Sequence, residues 1–542
     1  MTPTGQVPMT TADHFLHRSE GNPRLRSSYM SVEILDRVPD WERFLQVFES
    51  ASREVARLRQ RVVSPTAPTT APRWVIDADF DLRYHVRRVR LPGSGSHREL
   101  LDFAEQLSMT PLELTRPLWR VTLVEGLDGG AAAMLVQMSH AVSDGMGGIE
   151  LFGALYDLTR DGRERPVVEL PVPHDLEPRD LTIQGVKEAP GRALGFAKSV
   201  LGLGIKVASD PVGSVTGAAG YAASLRRVLG AVGEAAPSPL LAGRGLRRRA
   251  ITLEIDLPTL KAAGKALGGS VNDAYLAAMT GGLRRYHEGL GVPVAHLPLA
   301  IPVSLRSEGD TAGGNQWTGL ILPAPVGEAD PAARIHAIRE LVQTRRAEPA
   351  LDVMGVVSTV TSVLPDLIVD PLLGVVPPAD VQCSNVMSYP GPTFIAGAQI
   401  VAQYGLGPVP GVGMMAVMIT RLGRAFIGVR YDTASFTDDE LLERSLTEGF
   451  DEVFAAAGVT RPLAGSRPAA KKAAVRLAPA GRAPARKSAA ATAAPSKAAP
   501  SKAATSSAST KRAATTKSGT NKTGTTKAAK TSAAKKSVRK AR

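Results

Sequence analysis

A single cysteine, Cys383, stands among the 542 residues, so the chain closes no disulfide on itself and builds no cysteine-based zinc cluster. That scarcity fits a reducing, cytoplasmic setting. Residues 1–13 lack the basic patch and following apolar run of a signal peptide. No stretch reaches the roughly 18 uninterrupted apolar residues that cross a bilayer. The most apolar one, 353–376, is broken by Pro365, Asp366, Asp370 and Pro371. A membrane would therefore be met from its surface. Also missing are a Walker phosphate loop, a Gly-x-Ser-x-Gly nucleophile elbow and a His-Glu-x-x-His zinc motif. Nucleotide hydrolysis and serine-esterase chemistry lose most of their support. His14 and His17 lie three apart without a third ligand, so no metal is expected.

Acidic residues are absent from one end of the chain. Between 461 and 542 stand 21 Lys and Arg and no Asp or Glu, which leaves 44 basic against 51 acidic residues in 1–460. The net charge of +14 thus hides a mildly acidic body, at about −7. The tail, 460–542, also has no aromatic residue. Its Ala, Lys, Thr, Ser and Pro cannot bury enough apolar surface to offset the entropy of ordering, and disorder is expected. Its texture resembles linker-histone tails. Two polyanions suit it, nucleic acid and an anionic membrane or lipid-droplet surface. In the chain as a whole, 44% hydrophobic residues support a sizeable core.

Hydrophobic periodicity divides that body into three. In 9–165 short strands alternate with helices. Met30, Val32 and Ile34 alternate with polar neighbours, as do Trp119, Val121 and Leu123, while 41–61 repeats Leu45, Phe48, Ala51, Val55 and Leu58 at helical spacing. Residues 166–245 open Pro-rich, become rich in Gly, Ala and Val, and read as a connector with loosely amphipathic helices. In 246–459 strands and helices mix again. Ser270 caps a helix with Asp273 at its third position, and Asp330-Pro331 opens another. The 414–420 and 425–431 stretches read as paired strands. Thr437 and Glu440 form a capping box for the final helix. The fold class is α/β, in two halves joined by a connector.

The chemistry concentrates at the end of an apolar run, 133–138, which leads into Ser139-His140-Ala141-Val142-Ser143-Asp144-Gly145 and then a helix at 149–159. A strand-to-helix loop is where functional groups are displayed. A neutral imidazole at His140 can take a proton from an attacking hydroxyl, Asp144 can anchor the loop, and Gly145 permits a turn that a side chain would obstruct. The bland reading is a polar residue satisfied at a strand end. Pro117-Leu118-Trp119 reads first as core, and Cys383 as a small buried residue.

This segment resembles the His-His-x-x-x-Asp-Gly motif of the bacterial wax ester synthase/diacylglycerol acyltransferase family, within the chloramphenicol-acetyltransferase-like CoA-dependent acyltransferases. Further segments match in order: Thr11-Ala12-Asp13-His14-Phe15, Arg116-Pro117-Leu118-Trp119, Val271-Asn272-Asp273, Pro302-Val303-Ser304-Leu305-Arg306, Gly314-Asn315, and Ser384-Asn385-Val386 with Pro390-Gly391-Pro392. The resemblance covers about 9–458. The departure is Ser139, which replaces the family's first His, while the second, assigned there as catalytic, is His140.

The resemblance implies two chloramphenicol-acetyltransferase-like halves with a tunnel between them, and acyl transfer from CoA by direct attack in a ternary complex. Acyl-CoA is the co-substrate, no cofactor stays bound, and Cys383 is not needed as a nucleophile. Diacylglycerol is the implied acceptor, giving triacylglycerol, with long-chain alcohols giving wax esters as a side activity. Asn272, or Ser384 with Asn385, are candidates to stabilise the oxyanion; Asp273 is grouped with them, and Arg306 is the candidate partner of Asp144. The implied location is cytoplasmic, on the inner membrane or lipid inclusions. Two rival readings stand beside it: a condensation-type acyltransferase acting on a polyketide or peptide, and a catalytically weak lipid-binding or DNA-tethering protein.

Overall fold

Alternation of inward and outward side chains builds two six-stranded sheets, each closed on its outer face by helices. The computed structural model describes residues 6–142, 147–165, 167–173, 175–190, 235–304, 317–346 and 379–460, all inside one compact unit, Met1–Ala469. The first strands are β1 (Val7–Pro8), β2 (Tyr29–Leu35), β3 (Gln60–Val63), β4 (Arg73–Ile76), β5 (Val86–Arg90), β6 (Trp119–Glu125) and β7 (Ala132–Met138). The rest are β8 (Arg248–Asp256), β9 (Leu297–Ser304), β10 (Trp317–Ala324), β11 (Val381–Met387), β12 (Phe394–Ile395), β13 (Ala398–Leu406), β14 (Met414–Arg421) and β15 (Arg424–Asp432).

One sheet runs β12-β13-β2-β7-β6-β5 and the other β10-β9-β11-β14-β15-β8, with a small third sheet β1-β4-β3. The sheets do not follow chain order. Strands β12 and β13, from the third sequence region, complete the sheet of the first, with β13 antiparallel to β2 through Tyr404 opposite Val32. A two-residue turn with both residues at positive φ, Ala396 at 47° and Gly397 at 85°, joins β12 to β13. That is the tight hairpin geometry that matches strand twist.

Period two explains the burial. On β2, Met30 and Val32 face the second sheet and share a cluster with Tyr404, Leu406, Ala250 and Phe426, whereas Leu35 faces the helices with Phe44, Phe48 and Trp119. The second sheet buries Met414, Ala416 and Met418 under the Val271–Gly289 and Asp439–Ala456 helices. The two halves are joined at their seam by polar bonds, one buried and one partly buried. Arg430 pairs with Glu105 at 3.0 Å, and Arg98 donates to the Ala250 carbonyl at 2.7 Å.

The two-half α/β reading is the fold observed. Three local readings change. The final helix is capped by Asp438, which accepts from the Leu441 N–H, instead of by Thr437, whose own N–H donates to the Tyr286 hydroxyl. The helix expected at 41–61 ends at Glu54 and gives way to a 3₁₀ turn, Ala56–Arg59. The one after His140 spans Gly147–Leu155. The Ser270 cap and the Asp330 start are present as read, both with side-chain oxygens on backbone N–H groups. Of the connector, 191–234 lies outside the described residues, as does the tail from 461 onward.

Candidate active site

His140 stands in the turn that follows β7. The Ser139 N–H donates to the Leu118 carbonyl at 3.0 Å and the Val142 N–H closes back on the Ser139 carbonyl at 3.0 Å. Ala141 and Val142 bury themselves in the helix-side core, pinning the turn. His140 is partly exposed as a residue, and its imidazole meets the Tyr29 ring edge-on, centroids 4.8 Å apart. Its Nδ1 lies 2.5 Å from the Ser27 carbonyl oxygen. A carbonyl only accepts, so the proton sits on Nδ1 and the neutral ring carries its lone pair on Nε2. Burial lowers the imidazole pKa from its ordinary value, opposed by the bond to Ser27. At neutral pH the ring is uncharged. A ring in this tautomer can accept a proton at Nε2.

Ser139 faces away. Its side chain is fully buried and accepts from the Ala141 N–H at 3.2 Å. The Glu20 carboxylate lies near it, its pKa raised by burial against the opposing effect of the Ser27, Ser139 and Ser28 hydroxyls. The Ser27 hydroxyl donates to Glu20 at 2.7 Å while the same residue's carbonyl holds His140. Adjacent residues of an extended chain serve opposite faces. The residue that departs from the family motif belongs to the Glu20 cluster behind His140.

From Tyr29 a buried polar lane continues along the same face of β2. Glu33, 1% exposed, accepts from Tyr156 at 2.7 and 2.9 Å, from Gln403 at 3.0 Å and from Ser31 at 3.2 Å. Burial raises the Glu33 pKa, opposed by Tyr156 and by Arg421. Arg421 reaches in from the end of β14 and donates to Thr393 at 2.6 Å. The motif reading passed over Glu20, Ser27, Tyr29, Glu33 and Arg421. The available signal was an acid at position 33 in a strand that sequence alternation places on the face opposite Met30, Val32 and Ile34.

The candidates of the second half divide. Asn272, Asp273 and Asn385 line one cavity of about 390 Å³ together with Arg339 and Arg346. Asp273 is committed there to the capping box: its carboxylate accepts from the Ser270 N–H at 2.8 Å, and the Ser270 hydroxyl accepts from the Asp273 N–H at 3.2 Å. Ser384, next to Asn385 on β11, is buried on the opposite face, in register with Val417 and looking toward the first half. The wall of the 390 Å³ cavity does not include His140. Asp144, Gly145 and Arg306 lie outside the described residues. Trp119 is core, its indole N–H donating to the Leu58 carbonyl at 2.8 Å. Burial pushes the Cys383 thiol up to about 12, which keeps it protonated and a poor nucleophile. Among the described residues no three His, Cys, Asp or Glu gather into a metal site, and no described helix is long and apolar enough to cross a membrane.

Comparison with known proteins gives the site its context. The model of the wax ester synthase/diacylglycerol acyltransferase catalytic domain matches residues 6–275, and that of the family's C-terminal domain matches 313–453. A Mycobacterium tuberculosis (strain H37Rv) protein, provisionally named a diacylglycerol O-acyltransferase, is 51% identical over 454 residues, 83% of this chain and 92% of that one. The wax ester synthase/diacylglycerol acyltransferase of Marinobacter aquaeolei VT8 shares the fold at 19% identity and TM-score 0.55, over 84% of this chain and 100% of that one. The first condensation domain of the CDA synthetase does so at 15% identity and TM-score 0.51, over 84% and 99%. The condensation-domain likeness is one of fold alone. The condensation-type and tethering readings lose ground accordingly. With both family models matched in order and a relative alike over most of both chains, this chain belongs to the wax ester synthase/diacylglycerol acyltransferase family and is an acyltransferase.

Proposed function

We propose that this chain transfers a long-chain acyl group from acyl-CoA to the free hydroxyl of diacylglycerol, releasing CoA and triacylglycerol, with long-chain alcohols as a second acceptor class. The observation that carries the proposal is the Nδ1–Ser27 bond, which fixes His140 as a neutral base with its lone pair on Nε2. The acceptor hydroxyl gives its proton to Nε2 as its oxygen attacks the thioester carbonyl. The carbon–oxygen bond forms, the tetrahedral intermediate collapses, the carbon–sulfur bond breaks, and the CoA sulfur takes the proton back from the imidazolium. In this reading Asp144 and Gly145 shape the loop, and Arg306 pairs with Asp144. Ser384, on the inner face of β11, supports an oxyanion role better than Asn272 or Asn385, which line a cavity on the other side of that sheet.

The boundaries 9–165, 166–245, 246–459 and 460–542 accompany the proposal as working divisions. So do a tunnel between the halves and a cytoplasmic, peripheral position on the inner membrane or lipid inclusions. The tail carries 21 basic residues and no acid, which supports attachment to an anionic lipid surface. The same charge gives the tail affinity for nucleic acid.

The test is a radiolabelled palmitoyl-CoA assay with diacylglycerol and hexadecanol, using the full chain and His140→Ala. Product from the wild type, reduced at least about a hundredfold in the variant, is the expected result. A folded wild type that makes neither product, or a variant that keeps full rate, sinks the mechanism. The preferred acceptor decides between triacylglycerol and wax ester.

A further inference from the structure

We infer that an arginine-walled cavity at the seam of the two halves binds the phosphate groups at the nucleotide end of acyl-CoA. The inference rests on the acyl-CoA reading above and deepens it. The cavity measures about 230 Å³, and its wall carries Arg24, Arg26, Arg248 and Arg430 and no acidic residue. That volume lies below the roughly 300–1,000 Å³ of a pocket holding a whole ligand, so it suits one end of a long one. Four guanidiniums on one wall, in a body with a net charge of about −7, are a concentration of positive charge that folding alone does not require.

Two of the four make salt bridges to carboxylates; Arg26 feels the charge of Glu20 without a salt bridge to it, and Arg24 makes none among the described residues. Arg430 holds Glu105 at 3.0 Å and Arg248 holds Asp432 at 2.7 Å. Arg24 donates to the Arg244 carbonyl at 3.1 Å, and Arg26 to the Met109 carbonyl at 3.1 Å and the Glu20 carbonyl at 3.4 Å. Main-chain carbonyls orient a guanidinium without cancelling its charge. Planar forks held this way match phosphate oxygens in pairs. Burial lowers the pKa of Arg26 and of Arg248, and after the opposing pull of Glu20 and Asp432 respectively, the charge of Arg430 lowers both further. A bound dianion relieves that crowding.

Position ties the cavity to the reaction. Ser28 lines it, and the preceding residue, Ser27, holds the Nδ1 proton of His140. The same short strip thus has the base on one side and the arginines on the other. Residues of both sheets contribute, Arg24 and Arg26 from the approach to β2, Arg248 from β8 and Arg430 from β15. A donor spanning the seam reaches the base from here. A lipid headgroup offers the same phosphate chemistry, so the test must separate the two sources.

The decisive comparison uses palmitoyl-CoA against palmitoyl-pantetheine, which lacks every phosphate, with the full chain and an Arg24→Gln/Arg26→Gln variant checked by thermal melt. The ratio of kcat/KM values for the two donors is expected to fall at least about tenfold in the variant, with a parallel loss of 3′,5′-ADP binding by calorimetry. The single change Arg24→Gln, at an exposed guanidinium, moves the ratio the same way by less and covers the case where the double variant fails to fold. An unchanged ratio overturns the assignment. So does a variant that releases phosphatidylglycerol vesicles while keeping the donor ratio, which hands the cavity to a lipid headgroup. A wild type inert toward both thioesters overturns the acyl-CoA reading itself, and this assignment with it.

Discussion

Two histidines of the first half carry their proton on the same atom, and they differ in exposure. His85 Nδ1 lies 2.8 Å from the Trp119 carbonyl, its ring is stacked on Trp119 at 4.5 Å and on Phe80 at 5.1 Å, and it is fully buried. Burial brings its pKa down to about 4. Its Nε2 has no hydrogen-bond partner among the described residues. His140 shares the tautomer and the direction of the pKa shift, but the residue is partly exposed and its ring meets the edge of Tyr29. A neutral imidazole with its Nδ1 proton on a carbonyl is thus compatible with a sealed core. The base role proposed for His140 therefore rests on access for a second molecule.

The sharpest way to break this comparison is to remove each ring. Alongside the loss of turnover expected of His140→Ala, His85→Ala should cost roughly 2–4 kcal/mol of stability, the usual penalty for emptying a packed aromatic site. Its activity per folded molecule should stay within about threefold of wild type. Urea melts and active-site-normalised rates measure both. If His85→Ala instead abolishes turnover in folded protein, the core assignment is wrong.

Acid sharpens it next. The folded pKa of His85, about 4, is below the ordinary 6.5, so the unfolded chain binds the proton first as pH falls. Stability from this site is complete above 6.5 and drains away between 6.5 and 4, by on the order of a few kcal/mol. Urea midpoints at pH 7.5 and 5 should therefore differ more in wild type than in His85→Ala. At His140 the lowered pKa leaves the base neutral at pH 7, so kcat/KM should be flat from 7 to 8 with its acid limb below 6.5. An acid limb above 7 contradicts the environment described.

The smallest effect concerns the residue beside the base. Ser139→Ala removes a hydroxyl from Glu20 and from the Ala141 N–H. It should cost about 1 kcal/mol with little change in kcat. A large fall in kcat without destabilisation shows that Ser139 reaches the reaction after all.

Much of the fold was legible because periodicity and capping are local. The alternation around Met30 and Trp119, the Ser270 cap and the hairpin at 414–432 depend on neighbours close in sequence. The tautomer of His140 was not legible, because its partner, Ser27, lies 113 residues away and acts through its main chain. Nor was the parting of Ser384 from Asn385, which needs the sheet's orientation. Asp273 shows the reverse case, where the plain reading as a helix cap accounts for the reciprocal bonds it makes with Ser270. The seam arginines escaped notice because they come from separate stretches of chain, each unremarkable alone.

The crossing of β13 into the first sheet sets a timetable for the nascent chain. β2 acquires its second neighbour only when 398–406 has been made, some 260 residues after β7. At 5–20 residues per second that is a wait of roughly 15–50 s. Through it, the β2 edge stands unpaired and the Met30 and Val32 face uncovered by the second half, open to pairing with other chains. Growth conditions that slow elongation lengthen that interval, so yield of soluble protein should depend on chaperone supply during synthesis more than on the stability of the finished fold.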